Sequence, residues 1–356
     1  MLAAPILAAI LSIASPSLTL GPEVVLDSFF RRYPTPLSIG GTRDALVVAG
    51  TTFAGTSDPQ AFYRIVDGAP RDRVLLTGRS EGPQVVTNGA ETLVAWGDPT
   101  GTQVLFPFHP NAVTHHVDNG IFFFAMPTPD GFRVFAHDRF FDVSSVAIAA
   151  DGSSIGPSID LLYAAPPAVQ SRGYFVFLGG LPTNGVLNFA QPALFATPDQ
   201  HDFEVIATLS VNRPGDPAAV ASKGDSAVFL MQDLRGLATW AVDLTGQPRV
   251  TSSHRLFDSV PVLASLSLAW TGTNYVVVWA ERAGDGTRSV RGLLLDDDGE
   301  AAGAPFTIAE NAEAPAVTGL GRGEAAVVYA TLDEVPPRLV LRRLSPPLPP
   351  HRRAVR

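Results

Sequence analysis

The most regular feature of this chain is a short run of apolar residues that follows a glycine and carries no polar alternation. It occurs seven times: Gly41 before ALVV (45–48), Gly89 before LVAW (93–96), Gly120 before IFFFA (121–125), Gly173 before YFVFL (174–178), Gly224 before SAVFL (226–230), Gly272 before YVVVW (275–279) and Gly323 before AAVVY (325–329). A strand with one wet face alternates apolar and polar residues. A run such as YVVVW therefore predicts a strand covered on both faces. The glycines are spaced by 48, 31, 53, 51, 48 and 51 residues.

Turn signals recur about 20 to 31 residues after each of the first six glycines, at Asp67-Gly68, His109-Pro110-Asn111, Asp151-Gly152, Pro198-Asp199-Gln200, Thr245-Gly246 and Asp298-Gly299. Several are dipeptides that tolerate the positive φ of a tight hairpin. Proline-marked strand starts follow at Pro83, Pro167, Pro217 and Pro315, where a missing N–H costs nothing. One unit thus reads as four strands: a proline-led inner strand, the apolar strand, a third such as SVRGLLL (289–295), and an outer strand such as FTIAE (306–310) after the turn. Four-stranded repeats of this length that must hide both faces predict the radially stacked blades of a β-propeller.

Seven blades are expected. The short interval from Gly89 to Gly120 leaves room for six, if two of the anchors belong to one blade. The last unit runs into PPLPP (346–350) without an outer strand, while EVVLDSFF (23–30) stands spare ahead of the first. The N-terminal strand is therefore expected to complete the final blade and close the ring. A β-sandwich would show period-2 alternation and a parallel β-helix a shorter repeat. Neither pattern is prominent.

The unit from Gly272 to Glu281 resembles the degenerate repeats, loosely G-x-x-Y-V-V-V-W-x-D/E-x-R, of secreted propeller-like proteins of high-GC bacteria. The resemblance covers residues 260–330, and Arg282 here follows Glu281 directly. It implies a propeller fold and export. It brings no catalytic residues with it.

Composition narrows the partners. A net charge of −9 argues against nucleic acid or anionic lipid, which gain affinity from a basic surface. The absence of cysteine removes disulfides, thiolate metal sites and thiol nucleophiles. The opening MLAAPILAAILSIASPS reads as a secretory signal cleaved after Ala14, although it lacks a basic n-region. Its apolar stretch is too short to span a bilayer. The expected organisation is a signal peptide over 1–14, a propeller over 15–345 and a proline-rich basic tail over 346–356. The expected product is secreted or periplasmic, monomeric, and free of cofactor and metal.

Candidate chemistry is sparse, and no catalytic set is evident. GRSEG (78–82) satisfies the G-x-S-x-G pattern, but a strand start (PQVV) follows it where a nucleophile elbow needs a helix. His115, His116 and Asp118 form the one histidine pair with a nearby acid, on a loop expected to open onto a ligand face. Adjacent histidines on a strand point to opposite sides, so at most one joins Asp118. His137-Asp138-Arg139 has the same limit. LDDDGE (295–300) has the acids of a calcium loop without their alternating spacing, and reads as a charged hairpin tip. Asp98, Asp233, Glu281 and Asp333 recur at the ends of apolar strands, with Asp130 in a fifth unit and Arg235 and Arg282 close in sequence. A closed ring would gather these carboxylates on one rim. There they could act in acid–base work, bind sugar hydroxyls, or keep blade edges soluble.

Two functions follow. One is a non-enzymatic binding or scaffolding module for protein or glycan, with Asp98, His115, His116, Asp118, Asp233, Glu281 and Arg282 as candidate ligand contacts. The other is a carbohydrate-active enzyme, glycosidase or lyase, using the rim carboxylates.

Overall fold

The computed structural model describes residues 18–346, apart from 28–35, 53–58, 77–81, 111, 138–142, 153–154, 162–164, 172–173, 184–185, 198–203, 210–217, 234–235, 259–264 and 334–335. The expected signal segment, Ser80 of GRSEG, Arg235 and residues 347–356 lie outside the described residues. Among the described residues all regular structure is β, in seven antiparallel sheets.

Blade 1 is β2 (Ser38–Gly41), β3 (Leu46–Thr52) and β4 (Gln60–Asp67), with an outer strand broken into β5 (Ala69–Pro70) and β6 (Val74–Leu75). Blade 2 is β7 (Gln84–Thr87), β8 (Thr92–Asp98), β9 (Gly101–Leu105) and β10 (His115–Asp118). Blade 3 is β11 (Ile121–Thr128), β12 (Gly131–His137), β13 (Val143–Ala149) and β14 (Ile155–Leu161). Blade 4 is β15 (Ala165–Ser171), β16 (Tyr174–Thr183), β17 (Val186–Thr197) and β18 (Glu204–Thr208). Blade 5 is β19 (Ala218–Ser222), β20 (Ser226–Asp233), β21 (Gly236–Asp243) and β22 (Arg249–Phe257). Blade 6 is β23 (Leu266–Trp270), β24 (Tyr275–Arg282), β25 (Arg288–Leu295) and β26 (Phe306–Glu310). Blade 7 is β27 (Ala312–Gly321), β28 (Glu324–Thr331) and β29 (Leu339–Ser345), and its fourth strand is β1 (Thr19–Asp27).

The seven first strands β2, β7, β11, β15, β19, β23 and β27 touch in sequence and around to β2, so they form the inner wall of a closed ring. Closure is antiparallel pairing of β1 with β29, from Thr19 opposite Ser345 to Asp27 opposite Leu339.

The unalternating apolar runs now have a physical account. The core is not one mass but seven clusters, each shared by two neighbouring blades. Val276 and Val278 pack with Val317 and Val327 of blade 7. Val277 and Trp279, one residue out of phase, pack with Val228 and Leu230 of blade 5. Likewise Leu46 and Val48 face blade 7 and Val47 and Ala49 face blade 2. Period-2 geometry is intact, and both of its faces are dry.

One anchor is corrected. IFFFA belongs to β11, the inner strand of blade 3, and not to a second strand. The second strand is β12, GFRVFAH, whose glycine is Gly131. It lies 42 residues after Gly89 and 42 before Gly173, so the irregular interval disappears and seven blades remain. The apolar signature of β12 is interrupted by Arg133, which lies over the Phe175 ring of blade 4 at 4.9 Å and donates to Ser145 Oγ at 2.8 Å.

Polar side chains tie successive inner strands together. Ser38 Oγ accepts from the Val85 amide at 2.8 Å, Gln84 Oε1 from the Ala125 amide at 2.6 Å, and Ser267 Oγ from the Val317 amide at 3.1 Å. Inner strands all run the same way through the ring. Their starts define an entry face, and their ends define an exit face.

Candidate functional site: the exit mouth of the channel

Second strands run antiparallel to first strands, so their ends return to the entry face. Asp98 closes β8, Asp233 closes β20, Glu281 is next to last in β24, and Asp333 follows β28. These four positions therefore fall at the entry face, as the repeat predicts. Asp130 does not. It lies in the turn from β11 to β12, on the exit face, because the run that precedes it is an inner strand.

Two of the rim carboxylates already hold donors from their own blades, Asp98 in its turn and Glu281 along its strands. Asp98 Oδ1 accepts from the Thr100 amide at 2.7 Å and the Thr100 hydroxyl at 2.6 Å. Glu281 accepts from Trp279 Nε1 at 3.3 Å and pairs with Arg291 Nε at 3.5 Å. Arg282 beside it is exposed, as is Asp333.

The histidine pair lies on β10, the outermost strand of blade 2, and not at the channel. His116 Nδ1 lies 3.0 Å from Gln103 Nε2, and its Nε2 lies 3.1 Å from Asn119 Oδ1. Asp118 accepts from the Gly120 amide at 2.6 Å and from Ser144 Oγ of blade 3 at 3.0 Å. These bonds of Asp118 stitch blade 2 to blade 3. His115 is opposite Val104 and partly buried. His137 packs edge-on against Phe123. Among the described residues no three His, Asp or Glu side chains converge on a metal site, and no helix is long and apolar enough to cross a membrane.

The LDDDGE tip is a latch between blades. Asp296 Oδ1 accepts from the Asp298 and Glu300 amides at 3.0 and 2.9 Å, which folds the turn on itself. Asp297 pairs with Lys223 of blade 5 at 2.6 Å. The Gly299 carbonyl accepts from Thr239 Oγ1 at 2.7 Å, and the Asp298 carbonyl from Ser252 Oγ at 2.8 Å.

At the exit face, inner strands from six of the seven blades converge on a cavity of about 610 Å³, within the usual range for ligand pockets. Its wall is largely the ends of those strands: Gly40, Gly41, Gly89, Gly319 and Gly321 bring main chain to the surface, and Thr87, Asn88, Ser222 and Thr318 add small polar groups. Trp270 and Lys223 complete one side. The Lys223 ammonium lies 5.4 Å from the Trp270 ring centroid, and the Tyr275 ring packs 4.8 Å from the same indole. Burial holds the Tyr275 phenol far above its ordinary pKa, so it stays neutral. Arg43 on the opposite side pairs with Glu324 at 2.7 Å.

None of these wall residues stands out in the sequence as chemistry. A signal was present in the small and turn-forming groups that end inner strands: Gly40-Gly41, Thr87-Asn88-Gly89 and the Gly319-Leu320-Gly321 triplet.

No known protein family matches the chain, and no curated protein matches it. Solved structures do. A protein of unknown function from Dyadobacter fermentans is similar with a TM-score of 0.54 at 13% identity, over 93% of this chain and 100% of that one. The β-propeller domain of the Trilobed protease from Pyrococcus furiosus gives 0.56 at 9% identity, over 88% and 97%. The acylaminoacyl peptidase of Pyrococcus horikoshii gives 0.54 at 11%, over 87% of this chain and 51% of the peptidase. The likeness is one of fold. This chain spans about half the length of that peptidase. The Pyrococcus furiosus domain is described as having an open velcro topology, whereas here β1 closes the ring on β29.

Proposed function

We propose that this chain is an exported, non-enzymatic propeller that binds its ligand at the exit mouth of the channel. The observation that carries the reading is the cavity itself. It gathers main-chain and small polar groups from six blades at one point on the axis, and a rigid ring holds them in place without paying for order on binding. The entry-face carboxylates support a catalytic reading less well, because Asp98 and Glu281 already hold donors from their own blades. Export is read from the apolar opening segment, Leu2 to Leu11, followed by small residues.

The test is to fill one site and neutralise the other. Ser222→Trp at the mouth should abolish capture of the partner identified by pull-down and glycan array. Asp98→Asn with Glu281→Gln should leave that capture unchanged. Hydrolysis or lyase activity on polysaccharide that disappears in the Asp98/Glu281 variant, with Ser222→Trp unaffected, would reverse the assignment.

A further inference from the structure

The wall of the exit mouth is rich in hydrogen-bonding groups and poor in free charge. Asn88 lies on the wall, and its side-chain carbonyl accepts from the Ala90 and Glu91 amides at 3.0 and 2.8 Å, so that turn does not engage its NH2 group. Ser222 and Thr318, on blades 5 and 7, line the same space, and their hydroxyls have no partner among the described residues. The two cations on the wall are each matched by a carboxylate from the neighbouring blade: Arg43 of blade 1 by Glu324 of blade 7, and Lys223 of blade 5 by Asp297 of blade 6.

An acidic ligand would have to compete with those carboxylates for its partner. The mouth also lies on the ring axis with strands from six blades around it, which favours entry of a chain end over a strand lying flat. A free peptide end brings a charge that this wall does not answer. The non-reducing end of a neutral glycan brings only hydroxyls, each able to donate and accept.

Resting on the binding site proposed above, we infer that the exit mouth receives the uncharged terminal sugar of a glycan, held by Asn88, Ser222 and Thr318, with Lys223 and Arg43 silenced by their carboxylates. The probes are the intact chain and an array of oligosaccharides ending in neutral hexoses or deoxyhexoses, the same cores ending in acidic sugars, and peptides with free or capped ends. Neutral termini should bind, with an affinity that is flat across added salt because no counterions are released. Asn88→Ala, Ser222→Ala and Thr318→Val should each weaken that binding by about three- to tenfold, the scale of one hydrogen bond. Near-UV circular dichroism would confirm that each variant keeps its fold.

Failures of the two readings are separable. Peptides captured in place of glycans, and lost in the three variants, would overturn the sugar assignment and keep the mouth. A preference for acidic termini with steep salt dependence would overturn the neutrality argument alone. No binding by any member of the array would overturn the sugar assignment alone, and glycan binding indifferent to all three substitutions would overturn both.

Discussion

Asp98, Asp243 and Asp285 each take the same pair of donors, the amide and hydroxyl of the threonine two residues on. The distances are 2.7 and 2.6 Å at Thr100, 2.9 and 2.7 Å at Thr245, and 2.9 and 2.6 Å at Thr287. The hydroxyl and amide of Thr287 hold the Asp285 carboxyl below the ordinary range, and Thr245, with Arg249 adding to it, does the same to Asp243. A depressed folded pKa means that the ionised form stabilises the fold. That contribution is present above the unfolded carboxyl pKa of about 3.9 and is lost as pH falls through the lower folded value. Thr287→Val should therefore move the Asp285 carboxyl up toward 3.9, read by carbon-detected NMR titration. The Thr245→Val, Thr287→Val double variant should lose stability less steeply on acidification than the parent, although it starts lower. An unchanged Asp285 titration would mean that the hydroxyl is not the cause. The D-x-T spacing was visible in the sequence all along. It gives Asp98 a turn-capping role that attention to recurring carboxylates alone passes over.

At the scale of the strand, β1 is held by more than its ladder. Asp27 is buried at its end, 3.5 Å from Arg64 and 3.3 Å from Arg73 of blade 1. Glu23 accepts from the Tyr329 hydroxyl at 2.9 Å and lies 3.5 Å from Arg342. Burial first, and the Glu23 bond next, keep that phenol protonated far above its usual range. Asp27→Asn leaves two poorly exposed guanidinium groups facing an uncharged amide. Removing one partner of a buried ion pair costs about 3–5 kcal/mol, and Asp27 sits near the lower figure because both arginines keep some contact with solvent. Urea denaturation should show the loss as a lower midpoint at constant slope. No shift in midpoint would reduce the cluster to ornament on an already sufficient ladder. The same strand was legible from its spare position before the first unit. Blade 3 was less so, because Arg133 breaks the apolar run of β12 while the inner strand β11 imitates one. The glycine at its true anchor has a plain steric reason: a Cβ on Gly131 would lie 2.1 Å from the Ile148 carbonyl oxygen.

Across the whole molecule, seven blades have seven shared cores, and the one between blades 7 and 1 flanks the one blade built from both ends of the sequence, whose β1 leads on to β2. It joins Leu26, Ala316, Val328 and Leu341 to Leu46, Val48 and Phe62. Ring closure there was readable in advance because both faces of second strands such as β3, β24 and β28 are apolar and each demands a neighbour. The exit mouth was not, since it is built from main chain and small polar groups on strands about 40 to 50 residues apart, and no local pattern announces their convergence. The closure makes a sharp prediction. A chain beginning at residue 28 loses the Leu26 side chain from the seam, worth about 2–5 kcal/mol for a buried leucine, and exposes the outer edge of β29, an open template for association. Its unfolding midpoint should fall by at least that equivalent, and it should self-associate on light scattering. A synthetic peptide of residues 18–27 added in excess should restore the monomer and raise the midpoint with its concentration, as any ligand of the folded state does. If the shortened chain unfolds at the parent's midpoint and ignores the peptide, the inner-strand contacts alone hold the ring, and β1 is cover for an edge and not the closure.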